Sequence, residues 1–251
     1  MPRVNPRKDV FNKLIANPSC VALALESGIE FEADEQKEWY DKWHGKTIHY
    51  AIDYNNECKL IPRKLMKRAV NAAMTTWNLE IPIKIKSAYT IWKRADIIIS
   101  FKKAKDDQYF NERPGVLAYA YFPATSKAGE IVFNTDYIWA THSNGILGSE
   151  AVKLGLVDQA FPTNKLVTWN IIHTLIHEIG HSLGLRHDSD NNSRDVMDPY
   201  YDGKVLDLSE RDLYRIRLKY GVRNWSSWAK YKILKKLSLI HISEPTRQAE
   251  I

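Results

Sequence analysis

Cysteine is scarce in this chain: Cys20 and Cys58 are the only two, too few for a disulfide framework to carry the fold. Long apolar runs are missing too, and none approaches the ~20 residues a membrane-spanning helix needs. No secretion signal is visible at the start. Asp9, Asn12 and Asn17 interrupt any apolar core there, and Val21 to Leu25 is too short for a signal's hydrophobic region. Basic-aromatic motifs of the kinds that read nucleic acid are also lacking, so no nucleic-acid partner is expected. The remainder has an ordinary globular balance, 44% hydrophobic and 26% charged, in a chain long enough for one domain with extensions.

Against that plain background one stretch is dense in chemistry: His177-Glu178-Ile179-Gly180-His181-Ser182-Leu183-Gly184-Leu185-Arg186-His187. It reads H-E-x-x-H-x-x-G-x-x-H. Residues four apart on a helix share a face, so His177 and His181 present two imidazoles one turn apart, able to hold one tetrahedral zinc. Glu178 follows the first ligand and therefore lies beside the metal, where a base for a zinc-activated water is needed. Gly184 can take positive φ, end the helix and turn the chain back, so that His187 supplies a third nitrogen. Three protein ligands leave a fourth position for water, the catalytic arrangement. The bland alternative is a histidine-rich helix end of satisfied core imidazoles. His173, four residues before His177, shares the ligand face a turn further on and is expected to be packed or to support a ligand.

Ten residues past His187 comes Asp195-Val196-Met197-Asp198-Pro199-Tyr200-Tyr201. With the long histidine motif, a methionine in such a turn resembles the metzincin clan of zinc metallopeptidases. The resemblance implies that the Met197 thioether packs beneath the imidazoles without binding the metal. Further segments resemble the matrixin branch: Ala95 to Phe101, Pro114 to Pro123, Gly129 to Asn134, and Leu208 to Gly221 with Ser209 as a helix N-cap and Gly221 as its stop. Together they cover roughly 43–222. Residues 1–42 are expected to be an N-terminal extension, a propeptide or arm, acidic over 26–41. Residues 223–251 form a C-terminal tail, of which Ser238 to Ile251 resembles translated sequencing-adapter read-through and is set aside.

The resemblance implies an α/β (α+β) catalytic domain of the metzincin type, with a mixed twisted sheet, an active-site helix and a small C-terminal subdomain; the local patterns by themselves suggest a mixed sheet. Ile48, Tyr50, Ile52 and Tyr54 alternate as in a strand. Pro62 opens a helix whose Leu65, Ala69, Ala73 and Trp77 form one apolar stripe. Ile81, Ile83 and Ile85 alternate again, and Ala95 to Phe101 is nearly continuous, as expected for a covered strand. Strand, helix, strand and strand imply a crossover.

The resemblance further implies peptide-bond hydrolysis, with one catalytic zinc on His177, His181 and His187 and Glu178 as general base and then acid. An extended substrate would add to an edge strand Val116–Tyr121, held by the main chain of Leu117 and Ala118, with Pro199 and Tyr201 walling the pocket after the cut. The family's structural zinc is not expected, because its ligand positions fall on Ala104, Asp106, Tyr119 and Val132, and one carboxylate cannot hold it. Calcium is doubtful, since two associated carboxylates appear as Asn111 and Asn134. Asp188 is not counted as a ligand; the resemblance suits it to anchoring the Met-bearing turn or to pairing with the N-terminus of a processed chain. Pro18-Ser19-Cys20 faintly resembles a propeptide motif in which a thiolate meets the metal, but Val21, Ala22 and Leu23 do not continue it, and an inert Cys20 is expected.

The net charge of +6 is concentrated: residues 59–105 hold 12 Lys or Arg against Glu80 and Asp96. A solvated helix and strand edge is the bland reading, and docking of an anionic surface the sharper one. Expected partners are a protein or peptide substrate, with no membrane span and a monomeric chain. Family resemblance implies an extracellular location. Three other readings stay open: a non-catalytic zinc-stabilised binding module, a basic surface-binding protein, and an enzyme held latent by residues 1–42.

Overall fold

The computed structural model describes residues 19–23 (backbone only), 42–55, 61–88, 95–141, 169–187, 195–199 and 207–223. In chain order the elements are β1 (Ser19–Leu23), β2 (Thr47–Ile52), α1 (Arg63–Asn78), β3 (Lys84–Ser87), β4 (Ile97–Lys102), a short 3-10 turn (Ala104–Asp106), α2 (Gln108–Glu112), β5 (Val116–Tyr121), β6 (Glu130–Asn134), β7 (Trp139–Ala140), β8 (Trp169–Asn170), α3 (Ile171–Ser182) and α4 (Glu210–Tyr220). Among them no helix is long and apolar enough to cross a membrane.

Six strands form one mixed sheet in the order β1-β5-β6-β4-β2-β3, and β7 and β8 form a small second sheet. β2 and β3 are parallel and joined through α1, the crossover that the strand–helix–strand pattern demands. β5 and β6 are the antiparallel pair. Ile81 and Ile83, although buried with Ile85, lie before the strand, which starts at Lys84. There the core is filled by a bend and not by the pleat.

Alternation along the strands divides the sheet into two faces. Ile97, Ile99, Phe101, Ala118, Ala120, Ile131 and Phe133 join the main core with α1 and α3. Val116, Tyr119, Tyr121 and Val132 face the other way and pack with Tyr109 and Phe110 of α2. α1 starts at Pro62, whose missing N–H costs nothing at a helix entry. Its buried face is broader than one stripe, adding Met66, Val70, Ala72, Met74 and Thr76 to Ala69, Ala73 and Trp77, because it is pressed by both the sheet and α3.

One expectation fails. Val116–Tyr121 is not the sheet edge: β1, from the N-terminal extension, pairs along it in parallel register, with Cys20 opposite Ala118 and Leu23 opposite Tyr121. All six residues of β5 are buried. An apolar strand with a free row of N–H and C=O groups is a template for another extended segment, and the chain supplies one itself. Five residues are too few to show a period in the sequence.

The second sheet face is held by a polar clasp. The Tyr119 hydroxyl donates to Asp107 Oδ2 at 2.8 Å, Lys102 Nζ reaches the same oxygen at 3.1 Å, and Asp107 Oδ1 caps α2 through the N–H groups of Tyr109 and Phe110. Burial alone would raise the Asp107 pKa, but the donors from Tyr119, Lys102 and Phe110 outweigh it and hold the carboxyl below its usual range. Burial, with the Asp107 carboxylate, pushes the Tyr119 phenol well up. Of the positions compared with the family's structural-zinc ligands, Tyr119 and Val132 thus sit in an aromatic cluster with Ala104 packed against it. Asn134, one of the two calcium-associated positions, donates to Val116 O at 3.3 Å and accepts from the Asp136 N–H at 3.0 Å, bracing β6 against its loop. Asp107→Ala removes a cap and leaves a buried phenol unsatisfied, and is expected to cost about 2–3 kcal/mol in urea unfolding, against about 1 kcal/mol for Tyr119→Phe.

Candidate metal centre

α3 is buried on every side, which suits a helix running through the middle of a domain. It begins at Asn170, whose side-chain oxygen accepts from the Ile172 and His173 N–H groups. Two tryptophans from distant parts of the chain fix it: Trp77 Nε1 donates to Ile176 O at 2.8 Å and Trp43 Nε1 to Ser182 O at 2.9 Å. The Tyr220 hydroxyl of α4 donates to Leu183 O at 2.8 Å. The Ser182 and Leu183 carbonyls, left over at the helix end, are thereby satisfied.

The helix stops in a Schellman turn. Leu185 N–H reaches back to Gly180 O at 2.9 Å and Gly184 N–H to His181 O at 2.8 Å, with Gly184 at φ 91°. That turn places the Leu185 carbonyl 2.6 Å from His181 Nδ1. The Val196 carbonyl lies equally close, 2.6 Å, to His177 Nδ1. A carbonyl can only accept, so both Nδ1 atoms carry the proton and both Nε2 atoms are bare lone pairs.

Those lone pairs face one another. His177 and His181 Nε2 are 2.9 Å apart, and His187 Nε2 is 3.2 Å and 3.1 Å from them. A tetrahedral zinc with bonds of about 2.0–2.1 Å sets its nitrogens roughly 3.3 Å apart. The triangle is slightly tighter than that and otherwise of the right size. Two protonless nitrogens have no reason to approach to 2.9 Å unless a cation belongs between them, so the donor set fits a zinc ion. Among the described residues this is the cluster whose atoms converge in that way. Burial, with the neighbouring imidazoles, holds the His177 and His181 pKa values well below the usual histidine range. His187 is lowered to about 4, by burial first, with Asp198 opposing and Arg215 assisting. All three are therefore neutral at pH 7, the form a metal needs.

Beneath the triad, Met197 is fully buried against α3. A Cβ on Gly180 would come within 2.4 Å of the Met197 sulfur and 2.9 Å of the Trp77 ring, so only glycine permits this approach. The turn carrying Met197 is held by Asp212 of α4. The Asp212 Oδ2 accepts from Val196 N–H at 2.9 Å, Ser209 N–H at 3.1 Å and Ser209 Oγ at 3.0 Å. Contacts thus run from a buried carboxylate to the Val196 N–H, and from the carbonyl of the same residue to His177 Nδ1. Burial pushes the Asp212 pKa up, Asp195 adds to the rise, and those hydrogen bonds oppose it.

Of the other residues singled out in the sequence, Glu178 is completely buried next to His177, and His173 is buried one turn before it. Phe122 sets its ring edge-to-face on His181 at 5.6 Å. Leu117 and Ala118 are buried in β5, and Pro199 is half-buried after the Met197 turn. Tyr201 and Asp188 lie outside the described residues, as does Cys58, and of Cys20 only the backbone is described. Sequence reasoning missed Asp212 as a support for Val196. The Ser209-x-x-Asp212 capping box was the available signal. It also missed the carbonyls of Val196 and Leu185, which no side-chain pattern reveals.

The profile of the Matrixin family matches residues 42–221. Matrilysin of Homo sapiens is 32% identical over 189 residues, covering 73% of this chain and 60% of that protein. Matrilysin of Rattus norvegicus is 30% identical over 190 residues, again 73% and 60%. Matrix metalloproteinase-2 of Drosophila melanogaster is 30% identical over 171 residues, 66% of this chain and 20% of the relative. The chain therefore spans about 60% of the length of the matrilysins it matches.

Two measurements follow from the site. In metal-free protein the unfolded state takes up protons at these histidines below pH ~6.5, and the folded state resists them down to about 4 at His187. The depressed folded values mean that stability is full above pH ~6.5 and falls as pH drops through that window; urea titrations at pH 7 and pH 5 check it. Gly180→Ala must displace Met197 or Trp77, and is expected to cost about 1–3 kcal/mol and to weaken zinc retention against a chelator.

Proposed function

The chain belongs to the matrixin family of zinc metalloproteases, and from that premise we propose that it is a zinc-dependent endopeptidase. His177, His181 and His187 hold one catalytic zinc, and Glu178 is the general base and then the general acid. The observation that carries this reading is the triangle of three imidazole Nε2 atoms within 2.9–3.2 Å of one another, those of His177 and His181 left bare because their Nδ1 atoms donate to backbone carbonyls.

A zinc ion in that triangle would supply an acidified water and a positive charge for the oxygen of the scissile carbonyl. The rest falls to the chain's own groups. Glu178 receives the proton of the attacking water and passes it to the leaving amine, so no free amide anion has to depart. Its complete burial puts this transfer in a medium where charges act strongly. Val196 and Leu185 hold the imidazoles in one tautomer and one orientation throughout.

The peptide lies extended along β5, with Leu117 and Ala118 offering main-chain groups and Pro199 and Tyr201 walling the pocket after the cut. β1 occupies that side of β5 and also lies against α3. In this reading residues 1–42 act as a propeptide whose Ser19–Leu23 segment must leave before substrate enters, and 43–222 is the catalytic unit. A binding module that used zinc only as a knot would have no use for a carboxylate beside the first ligand. Matrixins are mostly secreted, and we take the protein to work outside the cell as a monomer.

Glu178→Ala is expected to retain zinc and to lose about 100-fold or more in peptide cleavage. Undiminished turnover by the verified zinc-loaded variant would rule out the role. Removal of residues 1–42 is expected to raise kcat/KM on a peptide substrate relative to the full chain; equal rates would show that Ser19–Leu23 does not guard the groove.

A further inference from the structure

α4 turns an apolar line to solvent. Among the described residues the exposed large hydrophobic side chains are Tyr214, Leu218 and Val222, at 66%, 70% and 70%. They stand four residues apart, so Tyr214 and Leu218 share the outer face of α4, and Val222 follows just beyond its end. A surface helix ordinarily turns charge outward. Here Ile216 and Tyr220 fill the core side, and Asp212 is taken up by the Val196 and Ser209 N–H groups. Arg217 Nη2 donates to Glu80 Oε2 at 2.6 Å and Arg215 Nη2 to the Arg186 carbonyl at 2.7 Å, which draws both side chains to the flanks. The exposed residues of α4 are therefore Glu210, Tyr214 and Leu218.

A contiguous apolar line on a surface marks a contact. Three side chains fall far short of the roughly 20–30 residues a side of a standard protein–protein interface, which weighs against a second copy as the occupant. The chain itself supplies another. Gly221, at φ 79°, stops α4 and turns the backbone. Arg223 then fixes the exit, its Nε donating to Ile81 O and its Nη2 to Ile83 O, each at 2.8 Å. Residues 224–237, beyond the last described residue, begin with Trp225, Trp228 and Tyr231; Lys230, Lys232, Lys235 and Lys236 gather towards the later part, and there is no acidic residue. From Leu218 back to Glu210 is a little over two helical turns, about 12 Å, and six extended residues cover about 20 Å, so reach is ample. A path antiparallel to α4 matches the two orders. Aromatic residues meet Val222, Leu218 and Tyr214, and the later lysines meet the Glu210 carboxylate.

We propose that residues 224–237 return antiparallel over α4 as an intramolecular strap, setting Trp225, Trp228 and Tyr231 on Val222, Leu218 and Tyr214 and bringing the later lysines to Glu210. Tethering is what makes so small a contact sufficient. A segment joined within a few residues is present at an effective concentration on the order of mM, which a free partner would not reach. Trp and Tyr add large apolar area on few rotatable bonds. The strap lies outside the metal centre and does not depend on what that centre does. It covers the helix whose Asp212 holds the Val196 N–H and whose Tyr220 holds the Leu183 carbonyl, and so braces those supports from the solvent side.

The test is limited trypsin digestion of the full chain, with cutting after Lys230, Lys232, Lys235 and Lys236 followed by mass spectrometry and compared with a free peptide of the 224–237 sequence. A covered segment is cut from its open population, so we expect those lysines to be cut about tenfold more slowly in the chain than in the peptide. Two double variants should each bring the rate back towards that of the peptide. One is Tyr214→Ser with Leu218→Ser on the helix; the other is Trp225→Ser with Trp228→Ser in the tail, which leaves every described residue as it is. Cutting as fast in the unmodified chain as in the peptide, or slow cutting unchanged in both variants, would overturn the strap. So would protection that disappears on dilution of a chain that sediments as a dimer, which would give the apolar line to a second copy.

Discussion

Two carbonyl oxygens govern this structure. Val196 O and Leu185 O each take the Nδ1 proton of one imidazole at 2.6 Å, and in doing so turn the opposite nitrogens of His177 and His181 towards each other. Several hydrogen bonds between distant parts of the chain keep those two carbonyls and α3 in place. Asp212 holds the Val196 N–H, the Schellman turn at Gly184 positions Leu185, and Trp43, Trp77 and Tyr220 fasten the helix from three separate segments. Backbone carbonyls cannot be lost by side-chain substitution, so the tautomers are set by the fold itself. The cost is that anything moving the Met197 turn also moves a histidine.

The packing that supports this arrangement is tight in one particular place. Gly180 lets the Met197 sulfur and the Trp77 ring meet α3 where any side chain would collide with them. Hence a soft, polarizable thioether fills the space below the imidazoles, and no polar atom of that side chain competes for the metal position. On the far side of the sheet a different solution appears. The Asp107–Tyr119–Lys102 clasp and its aromatic surround tie α2 to β5 by hydrogen bonds and rings, in the region where the resemblance to matrixins would have put metal ligands.

β5 lies in the sheet between β1 and β6, so the row of backbone groups to which we propose that substrate adds is the row with which β1 pairs.

Local chemistry was legible from the sequence. Spacing of four put His177 and His181 on one helical face, Gly184 ended the helix by taking positive φ, Ser209 capped α4 and Gly221 closed it; each follows from dihedral preference or helical period within a few residues. The strand and helix order, and with it the mixed α/β fold, followed from periodicity in β2, α1 and β4. What the sequence could not show depends on separation in the chain. Asp212 meets Val196 sixteen residues away, Trp43 meets Ser182 across 139, and β1 finds β5 although neither segment carries a mark of the other. The sequence determined which residues could bind, cap or turn, because those properties belong to single side chains and their near neighbours. Only the tertiary structure decided which lone pairs converge, which carbonyls hold them and which strand covers the groove, because hydrogen bonds between distant backbones leave no trace in residue type.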